Sequence, residues 1–111
     1  MKPKAPGAQQ TSFLLPTLAE QCDPRQPLKQ LADTLPWATF ETAFAETYSE
    51  EGRPAKPVRL MVGLLLLKQL ENLSDEAVVA RWVQNPYYQH FCGMTQFQWE
   101  LPCDPSELVY F

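Results

Sequence analysis

Apolar residues are sparse over residues 1–26 and dense between Leu28 and Phe91. Leu28, Leu31, Ala32 and Leu35 recur at helical spacing behind Pro27, a residue that suits the first turn of a helix. That pattern predicts a short helix over 27–34. Pro36 restarts the register, and Trp37, Phe40, Phe44 and Tyr48 follow at intervals of three, four and four. One face of a second helix, running to about residue 49, therefore carries an aromatic stripe. Aromatic rings at this spacing in a small domain are core rather than a platform for stacking bases.

Residues 50–56 contain glycine and proline and read as a loop. Pro57 opens the most apolar stretch of the chain, with Val58, Leu60, Met61, Val62, the run from Leu64 to Leu67, and Leu70. A helix apolar nearly all round belongs at the centre of a bundle. Gly63 within it costs about 1 kcal/mol of helix propensity relative to alanine but lets a neighbouring helix approach closely. Asn72 and Leu73 then form a turn. Ser74 can cap the next helix, with Asp75 and Glu76 at its positive end and Val78, Val79, Trp82 and Val83 facing inward, to about residue 84. Asn85 and Pro86 start a short fifth helix holding Tyr87, Tyr88 and Phe91, with Gly93 at a left-handed C-cap. After an irregular stretch, Asp104, Pro105, Ser106 and Glu107 reproduce a helix start, cut short at Phe111.

The expected architecture is a compact all-α bundle of about five short helices over 27–93. A Pro-rich flexible arm, 1–26, precedes it, although Phe13, Leu14 and Leu15 could pack back on the domain. Residues 94–111 read as a linker and the start of a truncated helix.

Composition narrows the function classes. A chain of 111 residues has room for one domain. No apolar run reaches the roughly 18 residues of a membrane span, and residues 1–10 lack the apolar region of a secretory signal, so the expected location is the cytoplasm with no membrane partner. Cys22, Cys92 and Cys103 are odd in number and lack metal-ribbon spacing, and a mixed site with His90 is disfavoured. No metal and no cofactor is expected. Asp23, Asp33, Asp75 and Asp104 fall in the arm, near a helix end and at helix starts, where capping or solvation explains them better than catalysis. His90 is the only histidine, so no Ser/His/Asp arrangement survives.

The net charge of −4 argues against the chain binding duplex DNA through its overall field. A local exception exists: residues 52–70 hold Arg53, Lys56, Arg59 and Lys68 and no acidic residue. Two readings of Arg59 and Lys68 stay open, a phosphate-contacting patch or the solvated edge of a buried helix. The helices flanking Asn72 and Leu73 have helix-turn-helix spacing, and the second offers Arg81 and Gln84 as outward readers. Asp75 and Glu76 at its leading end would repel phosphates.

Several strings occur in an order that resembles the N-terminal domain of insertion-sequence transposases of the InsH type. They are Gly52-Arg53-Pro54, the run from Pro57 to Leu65, Asn72-Leu73-Ser74-Asp75-Glu76, Arg81-Trp82, Asn85-Pro86-Tyr87 and Phe91-Cys92-Gly93. Leu101-Pro102-Cys103-Asp104-Pro105-Ser106 resembles the stretch by which that domain hands over to the rest of the enzyme. The resemblance implies a helical domain preceding an RNase H-like catalytic domain with a triad of two Asp and one Glu, which would lie beyond residue 111. It also implies a part in recognising terminal inverted repeats of DNA. The expectation is a non-catalytic domain for end recognition and complex assembly, with DNA, a transposase catalytic domain or a second copy as partners. The alternative is a protein-interaction or multimerisation module, or a truncated inhibitor of transposition, that does not bind DNA by itself.

Overall fold

Prolines, capping side chains and one left-handed residue set the helix ends. The computed structural model describes residues 16–48 and 56–110. Among the described residues there are seven helices and no strand: α1 (Leu18–Gln21), α2 (Pro27–Thr34), α3 (Trp37–Tyr48), α4 (Val58–Glu71), α5 (Asp75–Trp82), α6 (Pro86–Phe91) and α7 (Pro105–Tyr110). The all-α class is as expected, and α2 to α6 are the five helices anticipated. Most of the 50–56 loop and the Tyr48 side chain lie outside the described residues.

α2 starts with Pro27 in its first turn and gives way at Leu35 to extended backbone, the conformation a following proline imposes. α4 ends at Asn72, which adopts the left-handed conformation at φ 56° and ψ 55°. Asparagine tolerates that region better than most residues, so the turn forms without glycine. Ser74 Oγ accepts from the Ala77 N–H at 3.0 Å and starts α5. Asn85 Oδ1 accepts from the N–H groups of Tyr87 and Tyr88 at 2.9 and 3.2 Å and starts α6. At α7, Asp104 Oδ1 accepts from the Ser106 N–H while Glu107 Oε1 accepts from the Asp104 N–H, the reciprocal cap that the sequence spelled out.

α4 is the central element. Leu60, Met61, Val62, Gly63, Leu64 and Leu67 are all buried on it, and α3, α5 and α7 pack around it. α2 lies on α6, and the Trp37 ring meets Phe91 edge-on with centroids 5.2 Å apart. The Trp37 indole N–H donates to the Ala32 carbonyl at 2.8 Å, which ties the start of α3 to the end of α2 and gives the one polar atom of a buried ring its partner. Gly63 meets Cys92: a Cβ there would stand 2.7 Å from the Cys92 Sγ, so the expected close approach at this glycine is real.

Residues 16–26 depart from the flexible arm expected for 1–26. Thr17 and Glu20 form a capping box around α1, and Leu18 and Cys22, one turn apart, are buried against α6. The Leu18 N–H donates to the Thr95 carbonyl at 2.8 Å, and the Asp23 N–H donates to the Tyr87 hydroxyl at 2.9 Å. Two apolar side chains at i and i+4 supply a docking face that the surrounding proline and glutamine obscure. Residues 1–15, with Phe13, Leu14 and Leu15, lie outside the described residues.

The segment 94–111 also differs from the linker expected there. Pro102, Cys103 and Leu108 are buried, and α7 packs on α5 and α4. A helix too short to hold itself in water is stabilised here by tertiary contact.

Candidate nucleic-acid interface

Two of the basic side chains singled out for DNA contact, Arg59 and Lys68, do not converge. Arg59 and Lys68 are nine residues apart on α4. At about 100° per residue they point in nearly opposite directions around the helix. Arg53 lies outside the described residues. Lys56, just before α4, is half-buried and lies near the Cys103 thiol.

Arg59 is built into the fold. Its guanidinium stacks over the Trp37 ring at 4.4 Å, its Nε donates to the Phe91 carbonyl and its Nη2 donates to the His90 carbonyl, each at 3.3 Å. Those carbonyls end α6, where a cation is favoured by the partial negative charge of the helix terminus. The Arg59 stem lies on the bare face of Gly93, at φ 91°, where a Cβ would stand 2.8 Å from the Arg59 Cδ. Burial pushes the guanidinium below its ordinary value, with Cys92, Glu41 and Asp33 pulling the other way. Gly93 thus serves two ends at once, a left-handed turn and a seat for this arginine.

Lys68 Nζ lies 2.5 Å from Asp75 Oδ1, with both side chains about three-quarters covered. This pair joins α4 to the first turn of α5, so of the two carboxylates expected to repel phosphates Asp75 is paired with a cation while Glu76 stays exposed. Arg81 is exposed on α5 and interacts with the Tyr88 hydroxyl, which donates to Glu71 Oε1 at 3.2 Å. Burial is the main reason the Tyr88 phenol is raised, with Glu71 adding to it. Apart from Arg81, the outward face of α5 carries Glu76 and Ala80. The helix-turn-helix pair is present as backbone, but its second helix offers one cation and one carboxylate to a groove.

The aspartates weighed for catalysis, other than Asp75, and His90 also have structural partners. Asp33 accepts from Lys29 within α2 and lies 3.0 Å from His90 Nε2, so His90 joins α6 to α2 instead of merely packing among aromatic rings. The Lys29 ammonium, with His90, holds the Asp33 carboxyl below the usual carboxylate range. Asp23 bonds Arg25, and Asp104 caps α7. Cys22, Cys92 and Cys103 are free and buried. Burial pushes the Cys92 thiol up to about 12 and that of Cys103 to about 11. Among the described residues, no three His, Cys, Asp or Glu side chains are grouped to hold a metal ion. No described helix is long and apolar enough to cross a membrane.

One constellation was not anticipated. Gln89 has no solvent exposure, yet its side chain is fully engaged. Its Nε2 donates to the Trp82 and Gln98 carbonyls at 3.0 Å each, and its Oε1 accepts from the Gln98 N–H at 2.6 Å. Position 89 falls on the inward face of α6 between Tyr88 and Phe91, and a polar residue there is the signal that an isolated backbone segment needs a partner.

In class this is an all-α domain with a central apolar helix, two consecutive helices joined by a tight turn beside it, and Arg59 and Lys68 tied into its own packing. Residues 16–111 match the family described as Transposase domain (DUF772). A Rhizobium meliloti protein named as uncharacterized protein ORF8 in the nfe locus is 47% identical over 109 residues, covering 98% of this chain and 53% of that protein. The chain therefore spans about half the length of that relative. No solved structure matches. The chain belongs to the DUF772 transposase-domain family.

Proposed function

We propose that this chain is a non-catalytic domain of a DNA transposase that contributes to recognition of insertion-sequence ends and to assembly of the transposition complex, with assembly the larger part. The observation that carries the reading is the fate of the basic side chains. Arg59 is bound to α6 carbonyls and Trp37, and Lys68 is paired with Asp75. A net charge of −4 leaves little field to attract a polyanion. Carboxylates serving as caps and pair partners give no support to strand cleavage by this chain.

A smaller part in end recognition is favoured by Arg81, which is exposed on the second helix of the helix-turn-helix pair, with Lys56 and Arg53 as further phosphate contacts. Three phosphate contacts give a slope of log affinity against log salt of about −2.7. Binding of the chain to duplex DNA carrying the inverted repeats of its element, followed by anisotropy across a salt series, tests this. Weak binding with a slope no steeper than about −3, reduced further in Lys56→Ala/Arg81→Ala, is the expected result. Tight binding with a slope near −5 or steeper would overturn the assembly reading and make DNA recognition primary.

A further inference from the structure

Residues 97–101, between α6 and α7, turn apolar side chains outward. Trp99 is 86% exposed, Leu101 57% and Phe97 39%. A domain that buries Trp37 and Trp82 almost completely leaves its third tryptophan in water. The loop is nevertheless fixed. Gln89 holds both the N–H and the carbonyl of Gln98, the residue between the two exposed rings. The Leu18 N–H holds the Thr95 carbonyl on one side, and Pro102 and Cys103 are buried on the other. Exposed aromatic rings presented from an ordered backbone meet a partner at a low entropy cost, as at the anchoring positions of protein interfaces.

Charge selects the kind of partner. Residues 91–111 contain Glu100, Asp104 and Glu107 and no lysine, arginine or histidine. None of these three carboxylates has a salt-bridge partner among the described residues. Lys56 lies near Cys103, but the exposed aromatic rings adjoin Glu100 directly in the chain, and an excess of carboxylates beside them disfavours duplex DNA and suits a cationic, apolar protein segment.

We propose that residues 97–101 and the start of α7 form a docking surface for a basic amphipathic segment of a protein partner, with Trp99 as its anchor and Glu100 and Glu107 pairing with the partner's lysines or arginines. The inference rests on the assembly reading above and names the surface that serves it.

The test uses the full 111-residue chain and a synthetic peptide with lysine and leucine at helical spacing. Controls are a peptide with serine for leucine and a duplex DNA. Since Trp37 and Trp82 are buried, a blue shift of tryptophan emission on titration reports Trp99. The lysine–leucine peptide is expected to shift the emission and to bind at least about tenfold more tightly than the serine peptide. Its binding, followed through a label on the peptide, is expected to fall about tenfold in Trp99→Ser and to depend less steeply on salt in Glu100→Gln. Both positions are exposed, so an unchanged melting temperature excludes misfolding as the cause. Equal binding of the two peptides, or binding that survives Trp99→Ser, overturns the proposal. So does concentration-dependent self-association that buries Trp99, since the occupant is then a second copy, and so does quenching of Trp99 by DNA. The two readings fail separately: a steep DNA salt slope removes the assembly reading, whereas a chain with weak DNA affinity and an indifferent Trp99 removes only the docking surface.

Discussion

Gly63→Ala is the perturbation whose sign the structure decides against propensity. Alanine is favoured over glycine inside a helix by about 1 kcal/mol. The added Cβ, however, would stand 2.7 Å from the Cys92 Sγ and 3.2 Å from the Cys92 Cα. Cys92 is buried at the end of α6, and the second of these contacts is to backbone, so the neighbour has no free rotation by which to withdraw. Overpacking of a filled core costs about 1–3 kcal/mol, which leaves a net loss of about 1 kcal/mol after the propensity gain. In a domain of this size that is a fall of about 4–8 °C in melting temperature. Cys92→Ala removes the sulfur and costs about 1 kcal/mol of lost burial. The double variant loses the 2.7 Å clash, so its destabilisation should fall short of the sum of the single losses by about 1 kcal/mol. Urea unfolding followed by emission of the buried tryptophans measures all four proteins. A Gly63→Ala variant as stable as the parent, or single effects that add within about 0.3–0.5 kcal/mol, would refute the argument.

Gln89→Leu should destabilise by about 2–4 kcal/mol, because it keeps the volume but strands both backbone groups of Gln98 and leaves the Trp82 carbonyl with the Asn85 N–H alone, and hydrogen exchange at the Gln98 amide should accelerate ahead of the core. Asn72→Gly should be neutral within about 0.5 kcal/mol, whereas Asn72→Val, β-branched at φ 56°, should cost about 1–2 kcal/mol in thermal unfolding. The Cys92 and Cys103 thiols are raised to about 12 and 11 by burial, so the native state favours their protonated forms. The unfolded chain deprotonates at lower pH, and stability is therefore full below about pH 8.5 and declines as pH rises through 9 to 11. A thiol-reactive dye at pH 8 should label none of the three cysteines in the native protein and all three in urea.

Helix boundaries were legible where the chemistry is local. Pro27, Ser74, Asn85-Pro86 and the Asp104–Glu107 box act on backbone groups within one turn, and the ends of α2, α5, α6 and α7 follow from them. α1 carried the same kind of signal, a threonine three residues before a glutamate, yet four residues with one buried leucine produce too little periodicity to stand out among prolines. The burial of Pro102, Cys103 and Leu108 was hidden for a different reason. Pro102 and Cys103 sit in an irregular segment with no period, and Leu108 sits in a helix of six residues whose place is set by its packing on α5 and α4.

Charge counted along the basic stretch takes no account of partners distant in sequence. Residues 52–70 hold no acidic residue, but Lys68 finds Asp75 across a turn, and Arg59 finds the carbonyls of residues 90 and 91 and a tryptophan ring. Each of these partners lies on a different helix, so the cations act as fasteners between α4 and its neighbours. Removing the Arg59 guanidinium would first loosen α4 from α6 and the start of α3, and a fall in DNA affinity after such a change would report lost fold before lost contact. A charge-to-alanine scan of this domain is therefore interpretable only where the side chain is free of the core. Among the described candidates, exposed Arg81 meets that condition best, and half-buried Lys56 less well. Trp99 and Glu100, exposed on the loop at 97–101, meet it more fully than either, so substitutions there report on contact with a partner before they report on the fold.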